Sequence, residues 1–441
     1  MVEIKKIGEV AEVKGGKRLP KGSALVATRN NHPYLRIVDF SNGSIDASNL
    51  QYVPSKVFPQ IARYIISSND IYISIVGTVG LVGTVPEYLD GASLTENAAK
   101  ICNLSNNVNQ KYLAYYLQSN AGQAAIQSQT VGSTQPKLAL FRIKDIEFPA
   151  PPISQQISIA SVLGALDDKI ENNRRMNETL EEMARAIFKS WFVDFDTVHA
   201  KAAGKAPAHM DAETAALFPS SFGDDGLPVG WEWQKLGDCV SLTKGRSYKS
   251  SELQESDTAL VSLKSFMRGG GYRPDGLKAY TGIYKEEQTL TSGDLIVALT
   301  DVTQAADVIG KPAIVRSNNQ FKTLVASLDV GVVRPTVSSV SKAFLYCMMM
   351  THDFQAHIYG HTSGTTVLHL GKAGVPTYEF GMPACEVLDK FTAIAQPIFS
   401  KIEMNEVNSI TLAELRNTLL PKLMSGEIRV KDAERAVEAA V

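Results

Sequence analysis

Cysteine is scarce in this chain of 441 residues: Cys102, Cys239, Cys347 and Cys385 stand far apart and make no Cys-x-x-Cys pair. That spacing removes a disulfide framework and a zinc ribbon and leaves buried free thiols as the expectation. No apolar run approaches the roughly 18 to 20 residues a membrane span needs, and Met1-Val2-Glu3-Ile4-Lys5-Lys6 opens no secretory signal, so a cytoplasmic location is expected. An excess of one charge is missing as well. The formal net charge is −2, with 44% hydrophobic and 20% charged residues, ordinary values for a globular protein.

Catalytic signatures are equally hard to find. Gly77-Thr78-Val79-Gly80-Leu81-Val82-Gly83 has the glycines of a phosphate loop but not the Gly-Lys-Ser/Thr ending, so a tight turn between strands is expected. His357 and His361 have helical i, i+4 spacing, but Ile358 stands where a zinc protease needs Glu. No Gly-x-Ser-x-Gly elbow occurs, and no Gly-x-Gly-x-x-Gly follows a strand. The Asn-Pro-Pro-aromatic motif of base-flipping amino-methyltransferases is also absent, which sends any chemistry on DNA elsewhere. No catalytic residue, metal ligand or bound cofactor is assigned to this chain.

What is present begins with Ile153 to Phe192, a stretch without proline whose apolar positions step by four and three through Ile159, Leu163, Leu166, Ile170, Asn173, Asn177, Leu180, Ala184, Ile187 and Trp191. This heptad seam predicts one long helix lying along a partner helix. The partner lies in the same chain. From Asp168 to Ser400 is 232 residues, and with that shift Lys169-Ile170-Glu171 becomes Lys401-Ile402-Glu403, Asn173 becomes Asn405, and Thr179-Leu180 becomes Thr411-Leu412. The shifted seam reads Phe391, Ala395, Ile398, Ile402, Asn405, Ser409, Leu412, Arg416, Leu419 and Leu423. Arg416 on an apolar seam requires loose packing, an exit to solvent or an acidic partner.

The halves preceding the two helices echo each other. Lys6-Ile7-Gly8-Glu9 recurs as Lys235-Leu236-Gly237-Asp238, Gly15-Gly16-Lys17 as Lys244-Gly245-Arg246, Asn69-Asp70-Ile71 as Gly293-Asp294-Leu295, and Gly132-Ser133-Thr134 as Gly364-Thr365-Thr366. Ile7 to Val13 and Tyr34 to Val38 are expected as strands, as is Asp70 to Ile75, and Gln110 to Ser119 as a helix. The expected organisation is a first domain over 1–152, a central helix over 153–192, a connector over 193–229, a second domain over 230–382, a distal helix over 383–426 and a frayed tail over 427–441. The fold class is α+β: two similar mixed α/β domains joined by a long antiparallel two-helix coiled coil with pseudo-two-fold symmetry.

Basic and hydroxyl-rich loops are the positive signal for a ligand. Met1 to Val38 holds eight Lys or Arg against three Glu. Lys17, Arg18, Lys21 and Arg36 with Ser133, Thr134 and Gln135 make one candidate polyanion surface; Arg246, Lys249, Arg268 and Arg273 with Thr365 and Thr366 make a second, and Lys264 lies nearby. Such side chains neutralise phosphates and reach base edges. Two sites at a fixed separation suit a long regular ligand.

Three segments carry a family likeness: Asn69 to Gly80 (NDIYISIVGTVG), Phe188 to Phe195 (FKSWFVDF) and Leu419 to Ile428 (LLPKLMSGEI), and Met210 to Pro219 resembles a connector of the same family. Together they resemble the DNA specificity subunit of type I restriction-modification systems, along nearly the whole chain. The resemblance implies two target-recognition domains, each reading one half of an interrupted, asymmetric site on double-stranded DNA. It implies no catalytic residues on this subunit. Two methyltransferase subunits using S-adenosylmethionine, and restriction subunits using ATP and Mg, are the implied partners. On this reading the seam residues Leu163, Leu166, Ile170, Asn173, Leu180, Ile187, Ile398, Ile402, Asn405, Leu412 and Leu419 set the spacer. Two other function classes stay open at this point: a stand-alone DNA-modifying enzyme, and a coiled-coil scaffold binding only proteins.

Overall fold

The computed structural model describes residues 3–40, 43–47, 49–132, 136–302 and 305–440. It contains two compact units, Met1–Glu171 with Ile410–Val441, and Asn172–Ser409. Both divisions fall inside long helices, which run over Ile153–Phe192 and Cys385–Ser425.

In the first unit β1 (Glu3–Lys6) pairs with β10 (Glu147–Ala150). A four-stranded sheet runs β2 (Glu12–Gly15), β9 (Ala98–Cys102), β6 (Ile71–Ser74), β7 (Val82–Thr84). A second runs β4 (Gln51–Tyr52), β3 (Pro33–Leu35), β8 (Ala92–Leu94), β5 (Ile65–Ile66), with β3 and β8 parallel. The turn between β6 and β7 places Gly77 and Gly80 at positive φ, 81° and 95°, where side chains are disfavoured; this is the tight turn expected in place of a phosphate loop.

The strand expected over Ile7 to Val13 is corrected. Ile7–Val10 is a helical turn between β1 and β2, because Glu9 accepts the Lys6 backbone N–H at 3.0 Å and Ile7 and Val10, three apart, both turn inward. Likewise only Pro33–Leu35 of the 34–38 stretch is strand; Ile37–Asp39 is a 3-10 turn. The helix Gln110–Gln118 forms as expected, its N-terminus closed by the Asn109 side chain, which accepts from Tyr112 N at 3.0 Å.

The first unit's core combines Ile71, Ile73 and Ile101 of the β2 sheet with Ile159, Leu163 and Leu166 of one long helix and Leu412, Leu419 and Leu423 of the other. The frayed tail is also corrected. Val430–Glu438 is a helix, and Val430, Ala433 and Val437 place one apolar face on that same core, with Ala433 and Val437 buried.

The second unit repeats the architecture strand for strand. Here β11 (Glu232–Lys235) pairs with β23 (Glu379–Met382). One sheet runs β12 (Val240–Lys244), β20 (Val330–Pro335), β16 (Leu295–Ala298), β18 (Pro312–Ile314). The next runs β14 (Lys278–Ala279), β13 (Thr258–Val261), β19 (Thr323–Ala326), β15 (Thr289–Leu290), again with its two central strands parallel. An added hairpin sheet joins β17 (Thr300–Asp301), β22 (Leu368–Leu370) and β21 (Thr362–Ser363).

Details recur with the topology. Gln123 Nε2 donates to Gly80 O at 2.9 Å and Leu117 O at 2.8 Å; Gln355 Nε2 donates to Gly310 O at 2.9 Å and Met349 O at 2.8 Å. In the connector, Asp196–Ala202 and Ala212–Ala216 are helical, the latter inside the Met210 to Pro219 stretch.

The second unit's largest core joins Ala184, Phe188 and Trp191 to Phe391, Ala395, Phe399 and Ile402, so here too the two long helices pack on each other. The second long helix continues through Pro397 and Pro421. Each interior proline costs about 3 kcal/mol. Burial of Phe391, Phe399 and Ile402 around Pro397, at about 2 kcal/mol per large apolar side chain, offsets it.

Candidate nucleic-acid interface

Each domain hangs a basic loop from a glycine that no other residue replaces. Gly16 N donates to Ala98 O at 3.0 Å, and a Cβ there would lie 2.1 Å from Thr95 O and 2.3 Å from Leu94 O. Lys17 N donates to Leu94 O at 2.8 Å, so Lys17 and Arg18 leave the sheet from a fixed point, exposed. The same construction holds Arg246. Gly245 N donates to Val330 O at 2.9 Å and Arg246 N to Ala326 O at 2.7 Å, and a Cβ on Gly245 would lie 2.2 Å from Ser327 O.

Beyond these anchors the loops pack on small apolar clusters. Leu19 and Leu25 rest on Tyr34, Val53 and Ile61; Tyr248 and Leu253 rest on Leu260, Tyr280 and Val325. Lys21, Lys249, Lys264 and Arg268 are exposed.

The candidate cations divide by whether a carboxylate already holds them. Arg18 Nε lies 2.6 Å from Glu96 Oε1; burial alone would raise the Glu96 carboxyl, but the Arg18 hydrogen bond helps hold it below its ordinary value. Arg36 is half-buried, forks onto Asp39 at 3.0 and 2.7 Å and donates to Asn49 O at 2.9 Å; it closes the 37–39 turn. Arg273 forks onto Asp275 at 2.6 and 2.8 Å, and that contact draws the Asp275 carboxyl down. Lys17, Lys21, Arg246, Lys249 and Arg268 stand in no ion pair among the described residues. A polyanion would reach these five without an ion pair to break first.

Ser133, Thr134 and Gln135 lie outside the described residues. Their flanks are tied by Val131 N to Lys137 O at 3.0 Å and the reverse bond at 2.9 Å. Thr365 and Thr366 are exposed at the tip of the β21–β22 hairpin, after Gly364 at φ 108°.

Arg63, Tyr64, Tyr248 and Lys278 escaped the sequence reading. The Arg63 guanidinium sits 4.9 Å from the Tyr64 ring centre and Lys17 Nζ 5.8 Å from it, while Lys278 Nζ lies 5.8 Å from the Tyr248 ring. An Arg-Tyr dipeptide and an isolated Lys carry no spacing signal; only the fold brings these groups to the loops.

Every assigned seam residue is buried or half-buried. Leu163, Leu166, Asn173, Ile402, Asn405, Leu412 and Leu419 are buried, and Ile170, Leu180, Ile187 and Ile398 are half-buried. In the second unit Asn173 Nδ2 donates to Asn408 Oδ1 at 2.9 Å and Ser409 Oγ at 3.1 Å. Asn405 Nδ2 donates to Asn177 Oδ1 at 2.8 Å, and Asn177 Nδ2 to Ile402 O at 3.4 Å. The rising numbers on one helix against falling numbers on the other show antiparallel pairing there. In the first unit Arg416 takes the acidic partner: its Nη1 lies 2.6 Å from Asp167 Oδ1, and Tyr115 donates to Asp167 Oδ2 at 2.5 Å.

His357 and His361 are tied to backbone carbonyls. His357 Nε2 lies 2.9 Å from Gly374 O, and His361 Nδ1 lies 2.9 Å from His357 O; burial pushes the His357 imidazole down. No group of three potential ligands is gathered for a metal among the described residues. Cys102, Cys239 and Cys347 are buried free thiols, and Cys385 is exposed.

A family model described as the type I restriction modification DNA specificity domain matches residues 1–182. The type I restriction enzyme MjaIX specificity subunit of Methanocaldococcus jannaschii is 24% identical over 98% of this chain and 94% of its own. The HindI specificity subunit of Haemophilus influenzae is 25% identical over 85% of each. Residues 1–182 match that family's domain, and the chain is similar to type I restriction specificity subunits along nearly its whole length. A crystal structure of the S subunit from M. genitalium, 17% identical, covers 96% of this chain and 95% of its own with a TM-score of 0.48. The family match and these relatives bear out the likeness read from NDIYISIVGTVG, FKSWFVDF and LLPKLMSGEI. Among the described residues no helix is long and apolar enough to cross a membrane.

Proposed function

We propose that this specificity subunit reads a bipartite, asymmetric site on double-stranded DNA, one half with each α/β domain, and that the helix pair sets the number of unread base pairs between the halves. The observation that carries this reading is the repeated construction: the same strand orders in both domains, with a basic loop leaving each from a glycine closed in by backbone carbonyls. Divergent loops on one scaffold are how two surfaces of the same kind acquire different preferences. Lys17, Lys21, Arg246, Lys249 and Arg268 supply phosphate contacts, and Ser133, Thr134 and Gln135 in one half and Thr365 and Thr366 in the other reach base edges.

Two domains reading one face of B-DNA sit about one turn apart, roughly 34 to 36 Å. A 40-residue helix spans about 60 Å, ample for a stem of that gauge. The exposed faces of the helices and the connector dock two methyltransferase subunits, which bring S-adenosylmethionine. Restriction subunits bring ATP and Mg, and this chain itself binds no cofactor.

Mapping methylated adenines in the host genome with and without this gene tests the reading. A bipartite motif that vanishes with the gene is expected. Unchanged selectivity when the subunit is exchanged in the complete complex favours a protein scaffold instead, and methyl transfer by the purified chain with S-adenosylmethionine alone favours a stand-alone enzyme.

A further inference from the structure

Of the four cation–ring contacts among the described residues, three fall on Tyr64 and Tyr248. Besides stacking on Tyr64, Arg63 donates from Nη2 to the phenol oxygen at 2.8 Å. Unlike Arg18, Arg273 and Lys322, which hold carboxylates, Arg63 and Lys278 stand in no ion pair among the described residues. Arg63 is exposed; Tyr64, Tyr248 and Lys278 are half-buried.

The two tyrosines are not one ancestral position kept twice. Tyr64 ends the Ala62–Tyr64 turn ahead of β5, whereas Tyr248 lies two residues after Arg246 in the basic loop. Each nevertheless rests on the small apolar cluster that anchors its domain's loop. Duplication accounts for the shared scaffold but not for a cation–tyrosine pair built from different segments, so the recurrence points to a shared task.

The geometry also says which task. A guanidinium held against a ring loses little freedom when it takes up an anion. One edge of the Arg63 fork is committed to the phenol, which forfeits the two-pronged grip on a guanine edge and leaves a single charge-assisted bond to a phosphate oxygen. The Lys278 ammonium is a point charge and suits the same role. We propose that Arg63 in the first domain and Lys278 in the second, each seated on its tyrosine, are positioning contacts to DNA phosphates, separate from the side chains that read bases. This rests on the DNA-reading function proposed above.

The test uses the full chain assembled with its methyltransferase subunits and duplexes carrying the motif mapped from host methylation. Arg63→Gln should shrink the ratio of affinities at 50 and 200 mM salt by about 3.5-fold, one contact's share of counterion release, and adding Lys278→Gln should bring this to about 12-fold. The methylated motif should stay the same, and Arg63→Lys should restore most of the salt dependence. Unaltered salt dependence in the double variant, with the melting temperature preserved, overturns the proposal, as does a changed motif, which would make these base-reading residues. If the unsubstituted assembly fails to prefer its mapped motif over random duplex, the DNA-reading function itself falls, a result distinct from either.

Discussion

Inserting one heptad after Glu171 and another after Ser409 lengthens both long helices at matched points, since these are the places where each helix passes from one compact unit to the other. The insertion preserves the seam phase. It leaves the Asn173–Asn408 and Asn405–Asn177 bonds intact on one side and the Arg416–Asp167 pair on the other. Seven residues at 1.5 Å add about 10.5 Å, which at 3.4 Å per base pair is about three base pairs. Three base pairs also turn the second half-site about 100° around the duplex, while a heptad shifts a straight helix by only about 20°. The variant should therefore prefer a spacer about three base pairs longer and bind it more weakly than the parent binds its own. Sequencing methylated adenines in cells expressing each form reads the motif directly. Altered half-site letters with an unaltered spacer would refute the division of labour between stem and domains.

Three further outcomes are expected. Gly16→Ala or Gly245→Ala forces a Cβ to within 2.1 or 2.2 Å of a backbone oxygen, and each should cost about 3 kcal/mol or more by thermal or denaturant unfolding. Glu406, whose Oε2 lies 3.1 Å from Arg316 Nε without a hydrogen-bonding alignment, has its carboxyl pushed by burial from 4.5 to about 7 against the pull of Arg316. A folded-state value above the unfolded one gives stability that is present below about pH 4.5 and lost as pH rises to about 7. With its side chain 32% exposed, solvent trims the effect to about 1–2 kcal/mol, and Glu406→Gln should flatten that part of the profile; a profile identical to the parent's counts against it. Arg416→Ala leaves Asp167 with Tyr115 alone, and a double-mutant cycle with Asp167→Ala should return a coupling of about 1 kcal/mol, discounted for partial exposure; additive effects would show that the pair contributes nothing.

The first long helix was legible because a seam of forty residues without a proline has one regular solution, and the observed Ile153–Phe192 matches it; the second was legible, despite Pro397 and Pro421, because its seam repeats the first 232 residues on. Arg416 was legible as a problem but not as an answer, since Asp167 becomes its neighbour only once the helices pair. Ile7 to Val13 misled because alternation over a few residues fits both a strand and a turn that buries positions three apart; Glu9 capping the backbone decided it. The last helix was hidden by the charge around Val430, Ala433 and Val437, whose apolar face has meaning only against an existing core. In the interface, counting cations found Arg36 and Arg273 but not that Asp39 and Asp275 already hold them. Arg63 and Lys278 went unseen for the converse reason: nothing in their local spelling sets them apart.

The first unit needs Leu412, Leu419, Leu423, Ala433 and Val437 to complete its interior, so on the ribosome residues 1–171 must wait until the codons after residue 410 are read before that unit can close. The second unit, Asn172–Ser409, is whole before those codons are read. Domains ordinarily mature in the order of their translation; here that order is inverted. A premature stop near residue 410 would release a chain whose later half is finished and whose earlier half still exposes a greasy, chaperone-seeking face.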